Sequence, residues 1–421
     1  MFGKKAIGKT IAVAVALVIA IAAIAGAYIF LVMPPPTGGE TFKIGVTLPL
    51  TGPIAADADL WLKGMTMAVN HYNEMGGIQG KNVSLVVYDD GFAEDKIGPL
   101  YEKLITEDKA DILLTAMEYD APSAAVCKKY NKVMVHWFGH GKELHDNYGD
   151  RIVGFYAHPT LGAAVWGVDL GDMMDNFDVW NTDPTVQKPK TWALILINTP
   201  YGIDQAEHLP PYLEARGFDV ILVEKTQVGM SDWTPVIAKI QSLKPDVVAC
   251  YIYYQDAILM TRQLKEQDVQ LKWYYQENAA YSEWILPGVG IGPEVGNNVF
   301  GCDLNPAKWH SGDADYLRDT WKNKYGTDLT YMAIIGYNAI EVIKRGADVA
   351  KSTNEWDILH ALQENTVEIS SMKVKIDSKG YNELAAASVG QWQNSKYETV
   401  WVPWDPSLVS ALPSSKGWPA Q

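Results

Sequence analysis

The sequence predicts an α/β protein made of two lobes, each a doubly wound parallel sheet with helices on both faces. Apolar strand-like runs alternate with amphipathic segments of helical spacing from Ile44 onward. The alternation falls into two successive blocks, Thr41 to about Phe155 and Tyr156 to Asn298, and 421 residues are enough for two ordinary domains.

Residues 1–33 come first. Lys4, Lys5 and Lys9 precede an uncharged run, Ile11 to Met33. As a helix this run is about 33 Å long and crosses a bilayer core, with the basic end inside. The start, Lys4-Lys5-Ala6-Ile7-Gly8-Lys9, resembles the pilin-like (class III) signal of archaeal surface proteins, in which processing after the glycine leaves the helix as an anchor. Ala23-Ile24-Ala25 is a weaker exit site for an ordinary secretory signal, which would release the chain. Residues 34–41, rich in proline and glycine, form a linker.

Strands are expected at Ile44–Leu48, Leu85–Tyr88, Ile112–Ala116, Val133–His136, Ala193–Ile197, Val220–Val223 and Val247–Tyr251. Helices are expected at Leu60–Glu74, Pro99–Lys109, Ala121–Tyr130, Ala206–Arg216, Thr234–Leu243 and Ala257–Glu266. Gly217 stops one helix, and Asp232 caps another. A third stretch, Phe300 to Glu368, holds a long helix, Tyr331–Asp348. Two strands follow, around Ser388–Trp392 and Tyr397–Trp401, and residues 403–421 form a ragged polar tail.

The net charge of −15, with no basic stripe, excludes a nucleic-acid partner. The 15 Trp and 22 Tyr outweigh 9 Phe, a bias toward rings with a hydrogen-bonding tip that suits a ligand cleft. Cys127, Cys250 and Cys302 have no metal or redox spacing and are expected as small buried hydrophobes. His136, His140 and His145 beside Asp146 invite a metal, but Gly139 and Gly141 break the helix that would align the first two, so no metal or cofactor is expected. Asn82-Val83-Ser84 is a glycosylation triplet of a kind common by chance. No Gly-x-Ser-x-Gly, phosphate loop or dinucleotide fingerprint follows a strand, so no enzyme is expected.

Ordered landmarks carry a family resemblance. They include Leu50-Thr51-Gly52-Pro53, Gly64, Gly76-Gly77-Ile78-Gln79-Gly80, Tyr88-Asp89-Asp90, Pro200-Tyr201-Gly202, Asp232-Trp233-Thr234-Pro235, Gln276-Glu277, Gly336-Tyr337-Asn338-Ala339 and Ile376-Asp377-Ser378-Lys379-Gly380. Over residues 43 to 402 the chain resembles the type I solute-binding proteins that deliver branched-chain amino acids and related molecules to ABC transporters. The resemblance implies lobes joined by three crossings, near Phe155–Pro159, Phe300–Leu304 and Met372–Ile376. Lobe one is then 42–155 with 300–371, and lobe two 156–299 with 372–402. It also implies closure around a small solute, an amino acid or related amide or amine, and partnership with transporter permease subunits on the extracytoplasmic face of the membrane. A ligand-sensing receptor ectodomain with the same fold is the alternative.

The resemblance also places the site. In lobe one the ligand-gripping positions fall on Met117, Glu118 and Tyr119 and on Phe138, Gly139 and His140. The family is rich in Ser, Thr and Ala there, and this chain departs from it. In lobe two Tyr201 and Tyr253 match the aromatic contacts, and Glu277 matches the acid that pairs with a ligand ammonium. Asp57, Trp61 and Tyr331 face the same cleft. The bland alternatives are core packing for Tyr253, Tyr254 and Met117, and a solvated loop for Glu118.

Overall fold

The computed structural model describes residues 31–32, 39–115, 118–137, 141–162 and 165–419. The first sheet contains β1 (Leu31–Val32), β2 (Thr41–Leu48), β3 (Asn82–Asp89), β4 (Ile112–Thr115), β5 (Met134–His136) and β6 (Ile152–Gly154), in the order 1-3-2-4-5-6. β2 pairs in parallel with β3 and β4, β4 with β5, and β5 with β6. The second sheet contains β7 (Thr191–Ile197), β8 (Asp219–Thr226), β9 (Val247–Tyr251), β10 (Trp273–Gln276) and β11 (Val299–Asp303). After a small ladder of β12 (Val367–Glu368) with β13 (Lys373–Val374), the chain adds β14 (Ser388–Gln393) and β15 (Lys396–Trp401), giving the order 15-14-11-10-9-7-8. β7 to β11 are parallel, and β14 and β15 close the edge antiparallel. Apart from the edge strand β8, which alternates exposed and half-buried residues, the parallel strands are buried on two faces, and most are rich in Val, Ile and Leu.

The longer helices are α1 (Ala55–Glu74), α2 (Glu94–Thr106), α3 (Asp120–Lys129), α4 (Lys142–Tyr148), α5 (Val165–Asp175), α6 (Pro200–Glu214), α7 (Thr234–Leu243), α8 (Tyr254–Glu266), α9 (Ala314–Tyr325), α10 (Tyr331–Ala350) and α11 (Glu355–Glu364). α10 returns to lobe one and packs on α1 at very short range. A Cβ on Gly64 would overlap the Ala333 carbonyl, and one on Gly336 would overlap the Trp61 carbonyl. Two family landmarks, Gly64 and Gly336, are thus the contact point of two helices.

Asn382 ties the segment at Phe155 and Ala157 to the one at Lys373, where the resemblance places the first and third crossings. Its amide donates to the Phe155 carbonyl at 2.8 Å, and its backbone N–H donates to Ala157 at 2.8 Å. Asn338 of α10 donates to Tyr156 Oη at 2.8 Å and to Ser371 Oγ at 2.6 Å, joining both crossings to lobe one.

Several expectations change. The apolar run to Met33 is not helical at its end: Leu31–Val32 is extended and pairs with Val86–Val87, taking up open backbone groups on the edge of β3. The rest of that run, and with it the anchor, lies outside the described residues, and no described helix is long and apolar enough to cross a membrane. The boundary at residue 300 falls inside β11, so the second sheet keeps the chain through Asp303. The tail after residue 402 is not ragged. Trp418 is 1% exposed, exchanges two 2.8 Å backbone hydrogen bonds with Leu271, and donates its indole N–H to Val295 at 2.6 Å. Helices α1, α2 and α6 begin five or six residues before the expected starts, and Pro99, expected to open α2, lies inside it. Asp232 lies one residue before the N-cap Trp233 and accepts from Thr234 N–H at 2.9 Å. All three cysteines are buried and free. Asn82 opens β3, and Ser84 of its triplet is buried.

Candidate ligand-binding cleft

In each sheet the strand order reverses at one point, between β2 and β4 in lobe one and between β7 and β9 in lobe two. Open α/β sheets bind ligands beyond the carboxyl ends of the strands at such points. Beyond those four strands, Glu118 and Tyr253 lie in the loops after β4 and β9, and Asp57 and Tyr201 on the first turns of α1 and α6. Glu277 follows β10 on a short 3-10 turn, Glu277–Ala280, and Tyr331 opens α10.

These groups meet as phenol–carboxyl pairs, three of them across the lobes. Tyr253 of lobe two donates to Glu118 of lobe one. Tyr281 of lobe two donates to Asp57 of α1. Tyr331 of lobe one donates to Glu277 Oε1 at 3.2 Å and to Asn278 Oδ1 at 2.8 Å, both in lobe two. Tyr201 donates to the other oxygen of Glu277. Around the pairs, Tyr254 stacks on Tyr281 at 4.1 Å, and Tyr119 meets Phe92 edge-on at 5.5 Å, with Tyr253 6.1 Å beyond.

Burial dominates the electrostatics. It pushes the carboxyls of Glu118 and Glu277 up to about 7 and that of Asp57 up to about 6, against hydrogen bonds from the phenols that lower them. The phenols of Tyr201, Tyr253, Tyr281 and Tyr331 are raised well above their ordinary value by the same burial. They stay neutral and act as donors. A carboxyl poised near neutrality, held by neutral donors, accepts a cationic group readily and repels an anionic one.

The structure therefore brings together Glu118, Tyr119, Tyr201, Tyr253, Glu277 and Tyr331. Trp61 sits deeper, in the lobe-one core: its indole N–H meets the Met332 sulfur at 3.0 Å, and its ring is 5.5 Å from Trp137. Met117, Phe138, Gly139 and His140 lie outside the described residues. The Thr51-Gly52-Pro53 loop is exposed, with Thr51 tied to Asp89 rather than lining the pairs. Tyr281, Asn278 and Thr199 escaped the sequence reading; their one signal was nearness to Glu277 and Tyr201. His136 pairs with Asp120 at 2.9 Å, His145 stacks on Tyr381 at 3.7 Å, and no described group of three or more His, Cys, Asp or Glu is arranged to hold an ion.

Two hinged α/β lobes with a polar, aromatic cleft at their switch points define a solute-binding protein. The chain belongs to the periplasmic binding protein family, whose sequence model matches residues 41–395. Leu/Ile/Val-binding protein homolog 7 of Brucella suis biovar 1 (strain 1330) is 24% identical over 371 residues, covering 85% of this chain and 91% of its own. A leucine-binding protein of Thermotoga maritima MSB8 superposes with a TM-score of 0.69 at 20% identity, over 86% of this chain and 99% of that one. An ABC-transporter solute-binding protein of Rhodopseudomonas palustris BisB5, solved with 3,4-dihydroxybenzoic acid, gives 0.69 at 14% identity, over 86% and 97%. The fold thus serves proteins with chemically different ligands, and the cargo must be argued from the cleft.

Proposed function

We propose that this chain is the solute-binding subunit of an ABC importer, closing its lobes around an amine-bearing solute and presenting the closed form to membrane permease subunits. The observation that carries the reading is Glu277, held from lobe two by Tyr201 and from lobe one by Tyr331. A cationic nitrogen placed there gains a charge-assisted hydrogen bond only when both lobes are in place, which couples binding to hinge closure. Candidate cargo is an amino acid or a related amide or amine, and the reading is one of capture without turnover. The chain works outside the cytoplasmic membrane, with its apolar N-terminal run as the anchor we propose.

A thermal-shift screen against amino acids, amides, amines and aromatic acids tests the reading, because a ligand that binds only the folded state raises Tm with its concentration. A saturable rise for one class is the expected result. Release of a chemically altered product from any bound solute would replace this reading with an enzymatic one.

A further inference from the structure

The two sheets have four edges, and among the described residues three of them meet further chain. β1 lies along the outer side of β3, with Leu31–Val32 paired to Val86 and Val87. At β6 the Gly154 N–H donates to the Gly380 carbonyl at 2.8 Å. At β15 the Thr399 carbonyl accepts from the N–H groups of Ser410 and Ala411 at 2.9 and 3.3 Å. The fourth edge is β8, eight residues long, paired with β7 on its inner side and with no described strand on its outer side. A long strand with an open row of backbone groups is a template for a further strand.

A second, independent observation concerns what this edge presents. Along β8 the exposed side chains are Asp219, Ile221, Val223 and Lys225, with Ile221 37% and Val223 40% exposed. The alternation runs unbroken past the one register irregularity against β7, opposite Trp192 and Ala193, so the four share a face. Read in either direction, the set is charge, apolar, apolar, opposite charge. In an antiparallel pair of two copies centred on Leu222, Ile221 faces Val223 and Asp219 faces Lys225, each twice by symmetry. Neighbouring registers lose the match. One residue away, Glu224 comes opposite Asp219 or Ile221; two residues away, Asp219 comes opposite Val223, or Lys225 opposite Ile221. Asp219 also meets Lys190 of its own chain at 3.2 Å, on the surface, and a carboxylate has oxygens for both cations.

We propose that β8 is a pairing edge between two copies of this chain, which join antiparallel about a two-fold axis at Leu222 and continue the lobe-two sheet from one copy into the other. The inference goes beyond the solute-binding reading and does not depend on it. Backbone hydrogen bonds supply the attraction, the facing Ile221 and Val223 side chains exclude water, and the Asp219–Lys225 pairs fix the register. A parallel pair in matching register sets Asp219 against Asp219 and Lys225 against Lys225, which is repulsive. A foreign strand would have to carry the same pattern reversed, which a second copy supplies by symmetry alone. β8 carries none of the cleft residues and lies at the opposite edge of its sheet from β14 and β15, so the pairing takes no group from the cleft.

The test is sedimentation velocity of the full-length chain in detergent over a range of protein concentrations. A concentration-dependent equilibrium between monomer and dimer is expected. Lys225→Asp sets acid against acid at both ends of the ladder, and Asp219→Lys sets base against base; each is expected to weaken the dimer about tenfold or more. Both positions are exposed, so circular dichroism should match the parent in each variant. Mixing the two single variants should form the dimer that neither forms alone, and the double swap, Asp219→Lys with Lys225→Asp, should return self-association to near the parent level. A chain that stays monomeric at every concentration overturns the proposal. Self-association that Lys225→Asp leaves unchanged belongs to another surface and overturns it too. A double swap that fails to restore the dimer does the same, because it keeps every pair that the proposed register requires.

Discussion

The Tyr253 phenol of lobe two crosses the cleft to donate to the Glu118 carboxyl of lobe one, joining residues that are 135 positions apart in the chain. A hydrogen bond from one lobe to the other favours the closed arrangement of the two. Tyr253→Phe removes the donor and leaves a buried carboxyl with one fewer partner, at a cost to the closed form of about 1–3 kcal/mol. The unliganded variant is expected to show a larger radius of gyration in solution scattering than the parent. A double-mutant cycle with Glu118→Gln should return a coupling energy of the same order. Strict additivity would mean that the pair does not form in solution.

Glu277 has the opposite geometry, one acid held from both lobes by Tyr201 and Tyr331. Glu277→Gln keeps the shape and removes the charge. Amine affinity is expected to fall by about 1–3 kcal/mol, from loss of a charge-assisted hydrogen bond. Tyr331→Phe should cost less, since it weakens the support of the acid and leaves the acid itself. Calorimetry that finds the two variants equal would move the cation away from Glu277.

The raised carboxyls set a pH dependence whose sign is fixed. In the unfolded chain these acids titrate near 4. In the closed form Glu118 and Glu277 titrate near 7 and Asp57 near 6, so between about pH 4 and 7 the folded state holds more protons than the unfolded one. Unliganded stability is therefore fully present at the acidic end of that window and falls as pH rises through it. Asp90 and Glu341, raised by burial to about 6 and about 7, add to the same slope. His145, held down to about 4 by burial and by His136, acts against it, losing stability as pH falls below 6.5. A cationic solute takes the place of the cleft protons, so its stabilising effect should grow over the range in which unliganded stability declines. Melting curves at stepped pH, with and without ligand, separate the two. A ligand-induced rise in Tm that is flat across the window would detach the cleft carboxyls from binding.

The alternation of apolar runs and amphipathic segments made the two lobes legible, because parallel strands buried on both faces announce themselves locally. Tyr201, Tyr253 and Glu277 were singled out by the family resemblance, and the fold puts each just beyond the carboxyl end of a strand, where this architecture places its ligands. β6, β10 and β11 were hidden. β6 has three residues, and β10 reads Trp-Tyr-Tyr-Gln, a run that fits a cleft aromatic as well as a core strand. Partnership was hidden more deeply. Tyr281 and Asp57 are 224 residues apart, and only the hinge brings them together. The tail misled because Trp418 is a lone aromatic among polar neighbours, and its slot between Leu271, Tyr274 and Val295 is built by distant residues.

Gly64 and Gly336 carry a prediction that joins stability to the cleft. α1 bears Asp57 and Trp61, α10 begins at Tyr331, and the two helices touch backbone to backbone where these glycines face Ala333 and Trp61. A methyl at either position meets a carbonyl oxygen of the facing helix, which no rotamer change relieves. The helices must separate, at a cost of about 1–3 kcal/mol, typical of an overfilled core. Because both methyls push on the same contact, the second should cost less once the first has opened it, so Gly64→Ala with Gly336→Ala is expected to be less destabilising than the sum of the singles. Urea unfolding of the three variants measures this directly. The same separation tilts the ends of α1 and α10 that carry Asp57 and Tyr331, so solute affinity should fall together with stability, even though neither glycine touches the cleft. Parent-like affinity in a clearly destabilised Gly336→Ala would show that the helix contact supports lobe one without setting the geometry of its acids.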